Sequence, residues 1–204
     1  MEKQVESRHV DRDGVEPYIP VSLSTPPPVY SRVERFTEEL TAIGGKVYAV
    51  HSDEVSQKLT AFLRERGIER VQMWDNVPVL TEADPSTVLR AGLAEAGIRV
   101  ESSAPGLMAG ITGVLAGIAE TGTLVIPGGE GRPLTASLVP EIHIAVLRAA
   151  DILPSLEQAL RLPEVVSVSA TVLVTGPSRT ADIEMTLTIG IHGPRELYVF
   201  IVDL

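Results

Sequence analysis

Apolar residues recur every three or four positions in three stretches of the first half of the chain. Such spacing places them on one face of an amphipathic helix and therefore predicts three helices. The predicted apolar faces consist of Val33, Phe36, Leu40 and Ile43, then Val55, Leu59, Phe62 and Leu63, then Leu89, Leu93 and Ala96. Glycines follow the stretches at Gly44, Gly67 and Gly97 and end the helices. Asp84 is the predicted N-cap of the third helix, with Pro85 at its first position.

A short apolar segment follows each of these helices and predicts a strand. The three strands cover residues 46–50, 70–74 and 98–101. Successive helix and strand units of this kind are typical of a parallel sheet whose strands are joined by helical crossovers.

The second half of the chain has a different pattern. Residues 114–119 and 123–127 flank a short turn at residues 120–122, which predicts an antiparallel hairpin. The uninterrupted apolar run at residues 142–147 is typical of a buried central strand. Residues 196–202 predict a last strand.

The segments between these strands are less regular. We expect Asp151 to cap a helix that ends at Pro163, followed by a strand at residues 165–174 and the start of a helix in residues 178–186. Together the patterns predict one α/β domain with a mixed, mostly parallel sheet and helical crossovers.

The two ends of the chain differ in composition. Residues 1–28 are polar and rich in proline, so we expect a flexible arm that is disordered or lies over a partner, ahead of one domain at residues 29–204. The arm lacks the apolar segment of a signal peptide, and the expected location is the cytoplasm. Residues 102–119 are uncharged but rich in glycine and polar residues, which favours a buried loop and strand over a membrane span.

Composition narrows the classes of function. The chain has 204 residues, a formal net charge of −10, no cysteine, three Phe, four Tyr and one Trp. An acidic protein with few aromatic rings is a poor candidate for binding nucleic acid. Without cysteine, the chain has no thiolate for a disulfide, a nucleophile or an iron–sulfur cluster, so any such cluster must belong to another protein.

Most motifs that are recognisable from sequence alone are absent, including those of P-loop, dinucleotide-binding, hydrolase and zinc-protease sites. The histidines His9, His51, His143 and His192 lie far apart and never at i, i+4 spacing, so no metal site is predicted. His143 lies inside an apolar run and is more typical of a hydrogen-bonded core residue than of a ligand.

Polar residues are instead concentrated in glycine-rich segments at predicted strand ends. These segments are residues 110–113 leading to 119–123, residues 175–184, and residues 190–194. In open α/β sheets, ligands bind beyond the carboxyl ends of strands, where backbone N–H groups of the next loop and helix are free. We therefore expect a ligand site in these turns.

The candidate catalytic residue is Glu120. The candidate ligand-binding residues are Thr121, Gly122, Thr123, Thr175, Gly176, Pro177, Ser178, Arg179, Asp182, Glu184, His192 and Gly193. Ser178 or Thr180 would cap a helix whose first turn binds a phosphate or carboxylate, with Arg179 as the counter-charge. Each residue also has a plain structural interpretation, because Ser178 and Thr180 suit a cap without a ligand and Glu120 suits a solvated turn.

Four segments carry recognisable motifs. GITG and LAGIAETGTLVI lie within residues 110–126, LVPEIHIAVL covers 138–147, TGPSRTADIE covers 175–184 and GIHGPRELYVFIVD covers 190–203. They resemble the lactate utilization protein C family, the small stand-alone form of the LUD domain. The resemblance extends from Tyr30 to the C-terminus.

This resemblance implies a fold of the CoA-transferase and ribose-phosphate-isomerase type. It also implies a role in the oxidation of L-lactate to pyruvate, together with two partner proteins that hold iron–sulfur clusters. The chain itself would then hold no cofactor, and a small anionic metabolite is a possible ligand.

A second interpretation is a free-standing enzyme or binder of a small phosphorylated or CoA-linked metabolite. Glu120 would be the acid/base or nucleophile, because CoA-transferases of this fold use a glutamate in a comparable turn, and the turn from Thr175 to Ser178 would bind the anion. The residues that would orient the substrate are Asp182, Glu184 and His192. A third interpretation is a structural module in which these turns do not converge.

Overall fold

A computed structural model describes residues 28–77, 85–101, 106–181, 187–189 and 193–203 of the chain. The helices of these residues are Val29–Ala42 (α1), Val55–Glu65 (α2), Pro85–Glu95 (α3), Thr135–Leu138 (α4), Leu156–Leu160 (α5) and Pro163–Ser167 (α6). The strands are Lys46–Val50 (β1), Arg70–Met73 (β2), Arg99–Glu101 (β3), Ala109–Gly113 (β4), Ala116–Ile118 (β5), Thr123–Pro127 (β6), Ile142–Arg148 (β7), Ile152–Leu153 (β8), Thr171–Val174 (β9), Arg179–Ala181 (β10), Leu187–Ile189 (β11) and Glu196–Val202 (β12).

The three long helices follow the predicted apolar spacing. Their buried faces include Val33, Phe36 and Leu40 in α1, Val55, Leu59, Phe62 and Leu63 in α2, and Leu89 and Leu93 in α3. Gly44, Gly67 and Gly97 follow the helices with positive φ angles, which glycine adopts without the steric cost that other residues incur. The predicted helices are therefore confirmed, while the predicted cap Asp84 lies outside the described residues.

Six strands form the larger sheet, in the order β1-β12-β7-β4-β2-β3, and every neighbouring pair is parallel. Helix α2 joins β1 to β2, and α3 joins β2 to β3. The apolar run at residues 142–147 is β7, which lies buried between β4 and β12, as predicted for a central strand. The α/β class with a mostly parallel sheet is confirmed. Since all six strands run the same way, their carboxyl ends share one edge.

A smaller sheet has the strand order β8-β5-β6-β9. Strands β5 and β6 form the predicted antiparallel hairpin, with β9 antiparallel to β6 and β8 parallel to β5. Helix α1 packs on this sheet, since a Cβ built on Gly117 would lie 3.2 Å from the Phe36 ring. The single mixed sheet expected from sequence is thus divided: helical crossovers build the parallel sheet, the short hairpin turn favours local antiparallel pairing in the smaller sheet, and β10 and β11 form a separate two-stranded sheet.

Residues 110–113, expected as a glycine-rich turn, instead form most of β4 in the larger sheet. All five residues of this strand are buried. A Cβ on Gly110 would overlap the carbonyl oxygen of Ala136, so glycine allows α4 to pack directly on the strand. The glycine therefore serves close packing and not a turn.

The helix and the strand predicted after β7 are present as α5 and β9, but both begin later in the chain than predicted. Asp151 ends a short 3₁₀ turn, and Ser155 holds the N-cap position of α5. Pro163 begins α6, because proline suits the first turn of a helix, so the strand expected from residue 165 begins only at Thr171.

The helix expected to begin in residues 178–186 is wrong. Residues Arg179–Ala181 form β10, which pairs antiparallel with β11. Ser178 donates its backbone N–H to the carbonyl of Pro194 at 2.8 Å, so this N–H is engaged in a long-range contact and is not a free donor of a helix start. The cap proposed for Ser178 or Thr180 is therefore not formed.

The predicted N-terminal arm lies outside the described residues except for Pro28, so the arm and the domain boundary stay predictions. Within the described ranges, no helix has both the length and the apolar character that a membrane crossing requires.

Candidate functional site

Three of the predicted ligand-binding residues form a chain of hydroxyl groups on the smaller sheet, which we call the threonine cluster. The Thr121 and Thr123 hydroxyl oxygens are 2.7 Å apart, and those of Thr123 and Thr175 are 2.8 Å apart. Thr123 is buried at the centre, with 5% of its surface exposed. The structure thus joins two predicted turns that are 52 residues apart in sequence, yet the hydroxyls already satisfy one another.

Glu120 lies beside this cluster on the exposed side of the hairpin turn. Its Oε1 accepts a hydrogen bond from the backbone N–H of Leu156 at 2.8 Å. Leu156 is the first residue of α5, so the carboxylate satisfies an N–H that the helix itself leaves without a partner. In this arrangement Glu120 fixes the start of a helix.

The second predicted turn lies against the C-terminal end of α1. Gly176 has a φ angle of +84°, and a Cβ on it would lie 3.1 Å from the side chain of Ile43. The Arg179 guanidinium donates a hydrogen bond to the Ile43 carbonyl. At the same helix end, a Cβ on Gly122 would overlap the backbone of Leu40. These contacts commit Arg179 to a helix end instead of leaving it free for an anion.

The third predicted turn meets the second one. A Cβ built on Gly193 would lie 3.1 Å from the Ser178 Cβ, and Pro177 lies near Gly44 beside Arg179. Asp182, Glu184 and His192 lie outside the described residues. The assignment of the candidate residues to catalysis or binding therefore stays a prediction.

His143 is buried in the larger sheet, as expected for a core residue. Its Nε2 lies 2.9 Å from the Thr112 hydroxyl, and its Nδ1 has no hydrogen-bond partner among the described residues. Burial lowers the pKa of His143 to about 3, because the charged imidazolium loses its hydration there. Within the described part of the chain, no cluster of His, Asp and Glu has the arrangement of a metal site.

A cavity of about 470 Å³ opens at the carboxyl edge of the larger sheet. It lies where β2, β4 and β7 end, next to Trp74, Gly113 and Arg148. The connection after β2 leads outward to β3, whereas the connection after β4 leads the other way to β7. Such a reversal between adjacent parallel strands is where open α/β sheets bind ligands. We call this the carboxyl-edge cavity.

Two loops form one wall of the carboxyl-edge cavity and are tied together. Asp75 donates its backbone N–H to the carbonyl of Gly131 at 2.8 Å, and the Trp74 indole N–H donates to the carbonyl of Pro133 at 3.2 Å. Trp74 is buried, with 3% of its surface exposed. The Arg132 guanidinium lies over the Trp74 ring, 6.0 Å from its centroid. The wall is therefore held in shape before any ligand binds.

The charged groups of the carboxyl-edge cavity differ in their partners. Arg148 makes two hydrogen bonds to Asp151, at 2.5 and 2.9 Å, so these two charges neutralise each other. Arg132 also lines the cavity, and no carboxylate of the described residues lies within 4.0 Å of its guanidinium. Glu130 lines the cavity as well, and it likewise has no cation within that distance in the described part of the chain.

Of the described residues that line this cavity, only Gly113 lies in a segment in which the sequence predicted a ligand site, and none was named as a candidate catalytic or binding residue. They come from distant parts of the chain and share no local motif. One signal was present: Trp74 is the only tryptophan of the chain and occupies the last position of the strand predicted at residues 70–74. A large amphipathic side chain at the carboxyl end of a parallel strand is a reasonable marker of a ligand pocket.

Comparison with known proteins identifies the family. A family model described as the LUD domain matches residues 33–202. Lactate utilization protein C of Halalkalibacterium halodurans is 30% identical over 183 residues, which cover 84% of this chain and 79% of that protein. An uncharacterized protein of Neisseria meningitidis serogroup B is 27% identical over 185 residues, covering 84% and 77%.

A solved structure supports the same relationship at the level of the fold. A DUF162 family protein from Deinococcus radiodurans has a TM-score of 0.61 and 20% identity to this chain, covering 87% of this chain and 100% of that one. The fold is therefore shared. The chain belongs to the LUD domain family and, within it, to the lactate utilization protein C family.

Proposed function

We propose that this protein is a lactate utilization protein C-like subunit that takes part in the oxidation of L-lactate to pyruvate together with iron–sulfur partner proteins. The observation that carries the proposal is the 30% identity to lactate utilization protein C of Halalkalibacterium halodurans over 84% of the chain. We place this system in the cytoplasm.

The chemistry requires a division of labour between proteins. L-lactate loses two electrons and two protons when its hydroxyl carbon becomes the ketone of pyruvate. The chain has no cysteine with which to ligate an iron–sulfur cluster. In the proposal, the clusters of the partners receive the two electrons, the two protons pass to solvent, and this chain contributes a ligand pocket or a docking surface.

The test is reconstitution. The chain and the iron–sulfur lactate utilization subunits of its own organism are purified separately and combined, and lactate-dependent reduction of a dye is measured for each component and for the mixture. We expect dye reduction by the complete mixture, loss of that activity when this chain is omitted, and none from this chain alone.

Two results would contradict the proposal. Reduction of the dye by the isolated chain with lactate would show that no partner is needed. Full activity of the partners without this chain would show that it is dispensable. For the variant Glu120→Gln described next, Arg161→Gln is the control for nonspecific effects of a substitution, since Arg161 is an exposed residue that forms an i, i+4 ion pair with Glu157.

The alternative, a free-standing enzyme that uses Glu120 and the turn at residues 175–184, stays a prediction. The hydrogen bond from Leu156 gives Glu120 a structural task that does not require a substrate. Glu120→Gln keeps an oxygen that can accept this bond but removes the charge. An enzyme that needs the Glu120 carboxylate would lose activity in this variant, whereas unchanged activity and ligand affinity would remove the alternative.

A further inference from the structure

The carboxyl-edge cavity is lined by two charged residues, Arg132 and the exposed Glu130, that form no ion pair with the described residues. The guanidinium of Arg132 is positioned over Trp74, and the carboxylate of Glu130 comes from the same loop. Two further carboxylates of the described residues near this cavity are engaged, because Asp151 binds Arg148 and Asp75 binds Arg90 at 2.7 Å. The cavity therefore offers a ligand the hydrogen-bond donors of the Arg132 guanidinium and the acceptor oxygens of the Glu130 carboxylate.

The volume of the cavity argues for a ligand larger than lactate. Even at about 30 Å³ per atom, the share of a water molecule in the liquid, the six heavy atoms of lactate would fill about 180 Å³. The cavity measures about 470 Å³, which lies in the range of pockets for small molecules and cofactors. Lactate alone would leave more than half of it to water.

The lining defines the chemistry of such a ligand. A guanidinium binds phosphate through two parallel N–H donors. A carboxylate at neutral pH only accepts hydrogen bonds, and a ribose hydroxyl is a donor that suits it. Val114, Leu115 and Pro127 line the cavity with apolar surface for a carbon skeleton or a base.

We propose that the carboxyl-edge cavity binds a phosphorylated ribose unit, as found in a sugar phosphate or a nucleotide, with its phosphate at Arg132 and its hydroxyls at Glu130. The binding does not depend on the role in lactate oxidation. It rests on the position at the strand reversal, the volume and the two charges that form no ion pair within the described part of the chain.

Isothermal titration calorimetry of the full chain at neutral pH tests this proposal. The probes are D-ribose 5-phosphate, AMP, D-ribose, inorganic phosphate and L-lactate. We expect at least one of the two ribose phosphates to bind more tightly than the three small probes. Tighter binding of AMP than of ribose 5-phosphate would place the base against the apolar wall, and the reverse would identify a sugar phosphate.

Two substitutions assign the roles. Arg132→Gln should weaken binding of the ribose phosphate at least tenfold, and Glu130→Gln should weaken it severalfold. The matched controls are Arg161→Gln, directly after α5, and Glu164→Gln in α6; both side chains are exposed, and both variants should bind as the unchanged protein does. Thermal unfolding of each variant verifies that the fold is intact.

Four results would overturn the proposal. These are no binding of either ribose phosphate, equal affinity for inorganic phosphate, tighter binding of L-lactate than of both ribose phosphates, or unchanged affinity in Arg132→Gln. The third result would instead make the cavity a site for the lactate carboxylate.

Discussion

The threonine cluster and the carboxyl-edge cavity are both polar regions built from distant segments, and they differ in what their polar groups do. In the threonine cluster the hydroxyls of Thr121, Thr123 and Thr175 bond to one another, and nearby Arg179 donates to a backbone carbonyl. In the cavity, Arg132 and Glu130 have no charged partner within the described residues, and about 470 Å³ of space adjoins them.

The difference teaches that polar residues in a glycine-rich turn are not enough for a binding site. A group that already has its hydrogen bonds gains little from a ligand, because the ligand would only replace one partner by another. A charged group that faces open space is bound to water, and a ligand that replaces this water adds an interaction with the protein. We therefore assign stability to the threonine cluster and binding to the cavity.

The largest expected effect comes from Gly110→Ala. The added Cβ would overlap the carbonyl oxygen of Ala136, so α4 and the preceding loop with Arg132 must move away from β4. We expect the free energy of unfolding, measured in urea, to fall by about 3 kcal/mol, with loss of ligand binding in the cavity.

Gly67→Ala is the control, since a Cβ at this position would have no described atom within 4 Å apart from those of the adjacent residues. Its positive φ angle should cost only about 1 kcal/mol, without effect on the cavity. If Gly110→Ala lowered the free energy of unfolding by only about 1 kcal/mol as well, α4 would not pack on β4 as described.

His143 differs from both regions. It is buried, and only one of its two ring nitrogens has a hydrogen-bond partner among the described residues. Its pKa is lowered to about 3 in the folded state, against about 6.5 when unfolded. Between these values the unfolded chain binds a proton that the folded chain does not, so the free energy of unfolding falls as the pH falls. From pH 7.5 to 4.5 we expect this residue to contribute a loss on the order of 3 kcal/mol to the free energy of unfolding.

The measurement is urea unfolding across this pH range for the unchanged protein and His143→Leu, since other groups titrate as well. The pH dependence of the variant should be shallower by that amount. If the free energy of unfolding depended on pH equally in both proteins, His143 would take up a proton in the folded state. It would then be accessible, and the distinction between buried and available polar groups would fail.

Thr123→Val tests the threonine cluster directly. The substitution keeps the shape but removes the hydroxyl that links Thr121 and Thr175, so we expect the free energy of unfolding to fall by about 1 kcal/mol. Affinity for the probes of the cavity should not change. Thr41→Val, at an exposed position of α1, is the matched control for loss of a threonine hydroxyl. Weaker ligand binding by Thr123→Val, with stability unchanged, would reverse the roles of the two regions.

The smallest expected effect comes from Asp151→Asn, which removes the charge that now neutralises Arg148. A second guanidinium in the cavity then becomes available, and binding of the ribose phosphate should tighten about two- to threefold in calorimetry, since the Arg148 side chain is partly exposed and its charge is screened by solvent. Glu157→Gln makes the same change for Arg161 away from the cavity and should leave affinity unchanged. Unchanged or weaker binding by Asp151→Asn would show that Arg148 does not face the ligand.

Local patterns predicted much of the fold. The helix spacing from Val33 to Leu40, the glycine stops and the run at residues 142–147 each depend on neighbours in sequence, and each is confirmed. The prediction failed at β4 and β10, where polar and glycine-rich residues pair with distant strands. Glycine has the same local signature in a turn and beneath a packed helix, so Gly110 could be interpreted only with Ala136 in place.

The sequence by itself determined the α/β class, the order of most elements, the lack of cysteine chemistry in this chain and the resemblance to the lactate utilization protein C family. The tertiary structure alone decided which polar groups are satisfied and which adjoin open space. The physical reason is that a hydrogen bond or an ion pair depends on distances between residues far apart in the chain. The Arg148–Asp151 ion pair spans only three residues, but Arg132 comes to lie over Trp74 at the cavity only when the loop before α4 packs against the end of β2.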